Sequence, residues 1–147
     1  MKSRMWSLLA ATLLVAALTG CAKKPQPAEE TTTEAPPPAP FSVTSVSLGK
    51  AIRPDMSVDS AVVEFGARDT IYASVASDGS SSGVTLTAKW TFEDGSVVNE
   101  SSQTIAPTGP AVTVFHVAMP KPWPKGKYHV DVWADSTSAG GVDYAVK

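Results

Sequence analysis

The sequence predicts an all-β domain, an antiparallel sandwich of about seven strands in two sheets, carried behind an export signal and a proline-rich connector. Three observations predict it. Beyond residue 40 the apolar residues recur every second position, the strand period. Turn-forming residues separate the runs, and no stretch there has the spacing of an amphipathic helix. The chain of 147 residues suffices for one domain and a targeting segment, not for two cores. With 43% apolar residues, 18% charged residues and a net charge of −2, it is neither a disordered polyampholyte nor a protein drawn to nucleic acid by bulk charge.

The first strand runs from Val43 to Leu48. In the second, Ile71, Ala73 and Val75 alternate with Thr70, Tyr72 and Ser74. The third has the cleanest alternation: Val84, Leu86, Ala88, Trp90 and Phe92 against Thr85, Thr87, Lys89, Thr91 and Glu93, one face for a core and one for water. Asp94-Gly95 is a strong hairpin signal and leads into a fourth strand from Ser96 to Ile105. In the fifth, Phe115, Val117 and Met119 oppose Val114, His116 and Ala118. The sixth sets Tyr128, Val130, Val132 and Ala134 against Lys127, His129, Asp131 and Trp133, and Val142, Tyr144 and Val146 form the seventh. The serine- and glycine-rich stretches Gly79 to Gly83 and Ser136 to Gly141 read as loops.

Seven strands in this order resemble the immunoglobulin-like and fibronectin III-like superfold across residues 41–147. The resemblance places Trp90 inward as the central tryptophan of the third strand. It also makes Tyr128 a tyrosine-corner residue, with Val130 where antibody domains carry a cysteine. The only cysteine is Cys21, so the domain holds no internal disulfide and packing must hold it together. A likeness of architecture carries little about function.

Residues 1–20 read as a signal peptide. Lys2 and Arg4 precede an apolar run of eleven residues, Leu8 to Leu18, well short of the roughly 20 needed to cross a bilayer. Leu18-Thr19-Gly20-Cys21 resembles the lipobox of bacterial lipoproteins. The resemblance implies cleavage before Cys21, a diacylglyceryl group on its sulfur and usually acylation of the new amino terminus. That lipid is covalent; no dissociable cofactor is expected. Aspartate directly after the cysteine tends to retain such proteins at the inner membrane. The residue here is Ala22, which implies the periplasmic face of the outer membrane.

Residues 21–40 follow as a tether. Six of the nineteen residues from Ala22 to Pro40 are proline, a composition that extends the chain and buries nothing. The domain then occupies 41–147, with eight lysines and arginines against eleven aspartates and glutamates.

Residues with chemical potential are few. Gly79-Ser80-Ser81-Ser82-Gly83 spells G-x-S-x-G, but that motif works on a strained strand-to-helix turn, and here it joins two strands. His116 and His129 are the only histidines and fall on strands that usually belong to different sheets, so they read as surface residues, not a metal pair. Asp78 and Asp135 supply one loop carboxylate each and no calcium ring.

Two surfaces remain as partner-binding candidates. One is the outward face of the sheet holding the third, sixth and seventh strands, where Lys89 lies beside His129, Asp131 and Trp133. There Trp133 either anchors a partner or is covered by the linker or a loop. The other is the connection Pro120 to Lys127, whose Trp123 either reaches toward anionic lipid or polysaccharide or folds back to close the core. The sequence therefore points to a non-catalytic, lipid-anchored envelope module that binds a protein or glycan. The alternative is an accessory factor with hydrolase or metal-handling activity.

Overall fold

Alternating side chains become strands where the apolar side of each run finds a facing layer. A computed structural model describes residues 37–147. Its eight strands are β1 (Ser42–Gly49), β2 (Glu64–Phe65), β3 (Ile71–Asp78), β4 (Val84–Phe92), β5 (Val97–Ile105), β6 (Ala111–Val117), β7 (Gly126–Ala134) and β8 (Thr137–Val146). Among the described residues there is no helix. The expected signal peptide, Cys21 and the expected tether as far as residue 36 lie outside the described residues.

One sheet has the order β1-β3-β6 and the other β2-β8-β7-β4-β5. All pairings are antiparallel except the short parallel contact of β2 with β8. The result is an immunoglobulin-like sandwich in which the strand after the Asp94-Gly95 turn stays in the sheet of its predecessor. That turn spans Glu93 to Gly95: the Gly95 amide donates to the Phe92 carbonyl at 2.8 Å. Gly95 has φ +83°, and next to the turn Trp90 pairs with Asn99 and Thr91 with Val97, leaving Val98 as a bulge.

The core lies between the sheets. Leu48, Ile71, Ala73, Val75, Phe115 and Val117 from the three-stranded sheet meet Leu86, Ala88, Trp90, Val130, Val132 and Tyr144 from the other. One end is closed by aromatics. Tyr128 stacks on Tyr144 at 5.2 Å, and Trp123 and Trp90 meet these two rings edge-on at 5.4 and 6.0 Å. The Tyr128 hydroxyl donates to the Pro124 carbonyl at 2.7 Å, the tyrosine corner that the resemblance implied.

The structure departs from the sequence reading in several places. β8 begins at Thr137, so the Ser/Gly-rich stretch from Ser136 to Gly141 is largely strand and not loop. Its glycines bury no side chain; backbone pairing with β7 holds them, and alternation does not register that. The pair Glu64–Phe65 forms an added edge because Phe65 is buried against Tyr144, while Lys147 and Glu64 pair outside it. β6 ends at Val117 and Met119 is 38% exposed instead of continuing the inward row. Pro120, Pro122 and Pro124 have no amide to donate to a ladder, and they lead the chain away. Pairing also starts slightly before residue 41, where the Ser80 amide donates to the Ala39 carbonyl at 2.9 Å.

Candidate recognition face

The outward face of the five-stranded sheet is built by the odd-numbered residues of β7 and β4. Register sets Trp133 beside Thr87, Asp131 beside Lys89 and His129 beside Thr91. On the far side of β4, Thr87 faces Ser102 and Lys89 faces Glu100 on β5. On the far side of β7, His129 faces Asp143, Asp131 faces Gly141 and Trp133 faces Ser138 on β8. Lys89, His129, Asp131 and Trp133 are thus brought together on one face. The face also gains Asp143 and Glu100, which the strand pattern does not place there, and Asp135, which the sequence offers only as a loop carboxylate. Asp143 was legible as the outward neighbour of Tyr144, but Glu100 required the register of β5.

Trp133 is 37% exposed. Beside it the register shifts: Val132 pairs with Gly140 and Trp133 with Ser138, leaving Ala139 as a bulge. Bulges bend a strand locally and re-aim the neighbouring side chain. Thr87, Lys89, Glu100, Trp133 and Asp135 line a trough of about 290 Å³. Its one lining hydroxyl, on Thr87, is held by a bond to Ser102 at 2.8 Å. Asp135 pins the β7–β8 turn by accepting the Thr85 amide at 2.9 Å. Among the described residues, Lys89 and Glu100 side chains have no hydrogen bond or ion pair.

His129 sits between two carboxylates. Its Nδ1 lies 2.6 Å from Asp143 and its Nε2 3.1 Å from Asp131. Partial burial disfavours the imidazolium, but the Asp143 hydrogen bond and the Asp131 charge outweigh it, and the pKa of His129 is raised. Gly141 makes this possible: a Cβ there would come within 2.6 Å of Nε2. Both ring nitrogens are therefore engaged by carboxylates of the same face.

The other candidates are placed elsewhere. Trp123 is buried, its indole donating to the Asp69 carbonyl at 3.0 Å and its amide to Ala67 at 2.7 Å. As a surface contact it is withdrawn, because closing the aromatic end of the core satisfies both its ring and its N–H. His116 lies exposed on β6 in the opposite sheet, 5.9 Å from the Tyr72 ring, so the two histidines do not share a sheet. Ser81 Oγ accepts the Gly83 amide at 3.2 Å in a loop between sheets, and Asp78 accepts the Gly79 amide at 2.7 Å.

No protein-family model and no curated protein matches the sequence. Among solved structures, a β-glucosidase from Erythrobacter marinus is similar at TM-score 0.53 and 9% identity; the match covers 75% of this chain and 16% of that one. An alkylpurine DNA glycosylase from Pseudomonas fluorescens, bound to DNA containing an abasic-site analog, is similar at TM-score 0.50 and 8% identity, over 74% of this chain and 31% of that one. An immunoglobulin-like protein from Pseudomonas aeruginosa matches at TM-score 0.49 and 12% identity, over 74% and 98% of the two chains. This chain therefore spans only 16% and 31% of the first two proteins. At such identities the likeness is one of fold.

Proposed function

We propose that the chain is a non-catalytic, lipid-anchored module of the cell envelope that presents its sandwich to a protein or glycan partner. The observation that carries this reading is Leu18-Thr19-Gly20-Cys21 directly after an eleven-residue apolar run. Cysteine suits the role because its thiolate is a strong nucleophile. Each buried methylene of a lipid contributes about 0.8 kcal/mol, so several chains on one cysteine anchor durably where one binds marginally. The proline-rich segment then spaces the domain from the membrane, by at most ~60 Å at 3.1 Å per residue. Ala22 favours the periplasmic face of the outer membrane. The face carrying Lys89, His129, Asp131 and Trp133 supports the binding part of the reading, since an exposed tryptophan among polar residues is a common recognition anchor.

The test is mass spectrometry of the mature protein together with fractionation of Cys21→Ser. The expected results are a polypeptide beginning at Cys21 with fatty chains on it, and a variant released from membranes. An unmodified cysteine, or a variant that stays membrane-bound, overturns the anchor. Crosslinking in membranes with Trp133→Ala alongside tests the face, with loss of the captured partner as the expected result.

A further inference from the structure

We infer that the Trp133 trough binds a neutral or N-acetylated saccharide, with one sugar ring stacked on the indole; this rests on the binding reading above and narrows it to one ligand class. The argument starts from what surrounds the ring. A protein hot spot is a large side chain within an apolar patch that loses its water on contact. Trp133 has no such patch: its register neighbours are Thr87 and Ser138, and the rest of the trough is Lys89, Glu100 and Asp135.

A sugar ring has the complementary chemistry. One of its faces presents C–H groups to an aromatic surface, and its edge presents hydroxyls that both donate and accept. Within the trough Glu100 accepts, Lys89 donates, and the Thr87 hydroxyl, bonded to Ser102, keeps a lone pair that accepts. Lys89 and Glu100 are uncommitted among the described residues, while the Thr87–Ser102 bond at 2.8 Å holds the floor in position. Such preorganisation lowers the ordering cost of binding.

Charge selects within the class. The trough carries one ammonium, Lys89, against the carboxylates of Glu100 and Asp135, and Asp131 lies beside Lys89 on the neighbouring strand. A polyanionic glycan is repelled there, whereas a neutral ring with hydroxyl or acetamido groups hydrogen-bonds to these side chains without adding a like charge. The bulge at Ala139 sets the indole at the trough wall, where a ring lying over Thr87 meets it.

The experiment titrates the full-length lipoprotein in detergent micelles with chitotetraose, cellotetraose and heparin, read by saturation-transfer NMR and calorimetry. Saturable binding of a neutral tetrasaccharide is expected, insensitive to salt, with none for heparin. Trp133→Ala should weaken it by about tenfold or more, equivalent to ~1.4 kcal/mol, and Trp133→Phe should retain most of the affinity. The inference is overturned by binding of neither tetrasaccharide, by binding that Trp133→Ala leaves unchanged, or by a preference for heparin. A protein partner crosslinked through Trp133 without saccharide binding also overturns it, while leaving the broader binding reading intact. Failure of the Cys21 anchor would leave the titration unaffected, so the two readings fail separately.

Discussion

Tyr128 and His129 are adjacent on β7 and occupy opposite physical regimes. Tyr128, with Val130 and Val132, faces a dry interior where a polar atom without a partner in the protein has no water to replace it. His129, with Asp131 and Trp133, faces water, where charges associate because geometry allows it and burial does not force it. The same strand thus carries core packing on one side and the proposed recognition face on the other. The difference also separates the tryptophans: Trp90 and Trp123 are structural, Trp133 is available.

The sharpest way to break this comparison is to truncate a tryptophan on each side. Trp90→Ala should cost about 3–5 kcal/mol, since it removes the largest fully buried side chain and leaves a cavity between the sheets. Denaturant unfolding measures it; a loss near zero would mean that the core does not depend on that ring.

The two stacked tyrosines test the interior rule in finer detail. Tyr128→Phe strands the Pro124 carbonyl that its hydroxyl now satisfies, and should cost about 1–2 kcal/mol. The Tyr144 hydroxyl is buried with no hydrogen-bond partner in the structure, and burial raises its pKa strongly. Tyr144→Phe should therefore be neutral, or stabilising by up to ~1 kcal/mol. Equal losses for the two variants would refute the distinction between them.

How much of this was legible in the sequence follows from the same division. Alternation in Val84 to Phe92 and in Tyr128 to Ala134 marks burial directly, because side chains there choose between core and water. It does not mark β8 from Thr137 to Gly141, which is held by backbone pairing, nor β2, where two residues close an edge. The outward site was half visible. Lys89, His129, Asp131 and Trp133 share a parity, but bringing Glu100 and Asp143 beside them requires strand registers that no local pattern specifies.

On the outer side, His129 supplies a smaller effect with a definite sign. Its pKa lies above the ordinary 6.5 in the folded state, so its bonds to Asp143 and Asp131 stabilise the fold below the unfolded value. That contribution disappears as pH rises through the folded pKa. The three side chains are substantially exposed, and solvent screening limits the effect to less than ~1 kcal/mol. The wild type should therefore exceed His129→Gln in stability at about pH 5 and match it at about pH 9. A difference that grows with pH would reverse the assignment.

The smallest effect is the most telling. Trp133 is 37% exposed and its neighbours on the face are hydroxyls and charges, so nothing in the core collapses when it is removed. Trp133→Ala should change unfolding free energy by no more than about 0.5 kcal/mol. Set beside the loss at Trp90, that near-silence would mean that a large aromatic is kept in water at no structural gain, which is the situation a recognition side chain requires. A loss comparable to that of Trp90→Ala would instead make Trp133 part of the packing, and the outer face would lose its claim to a separate role.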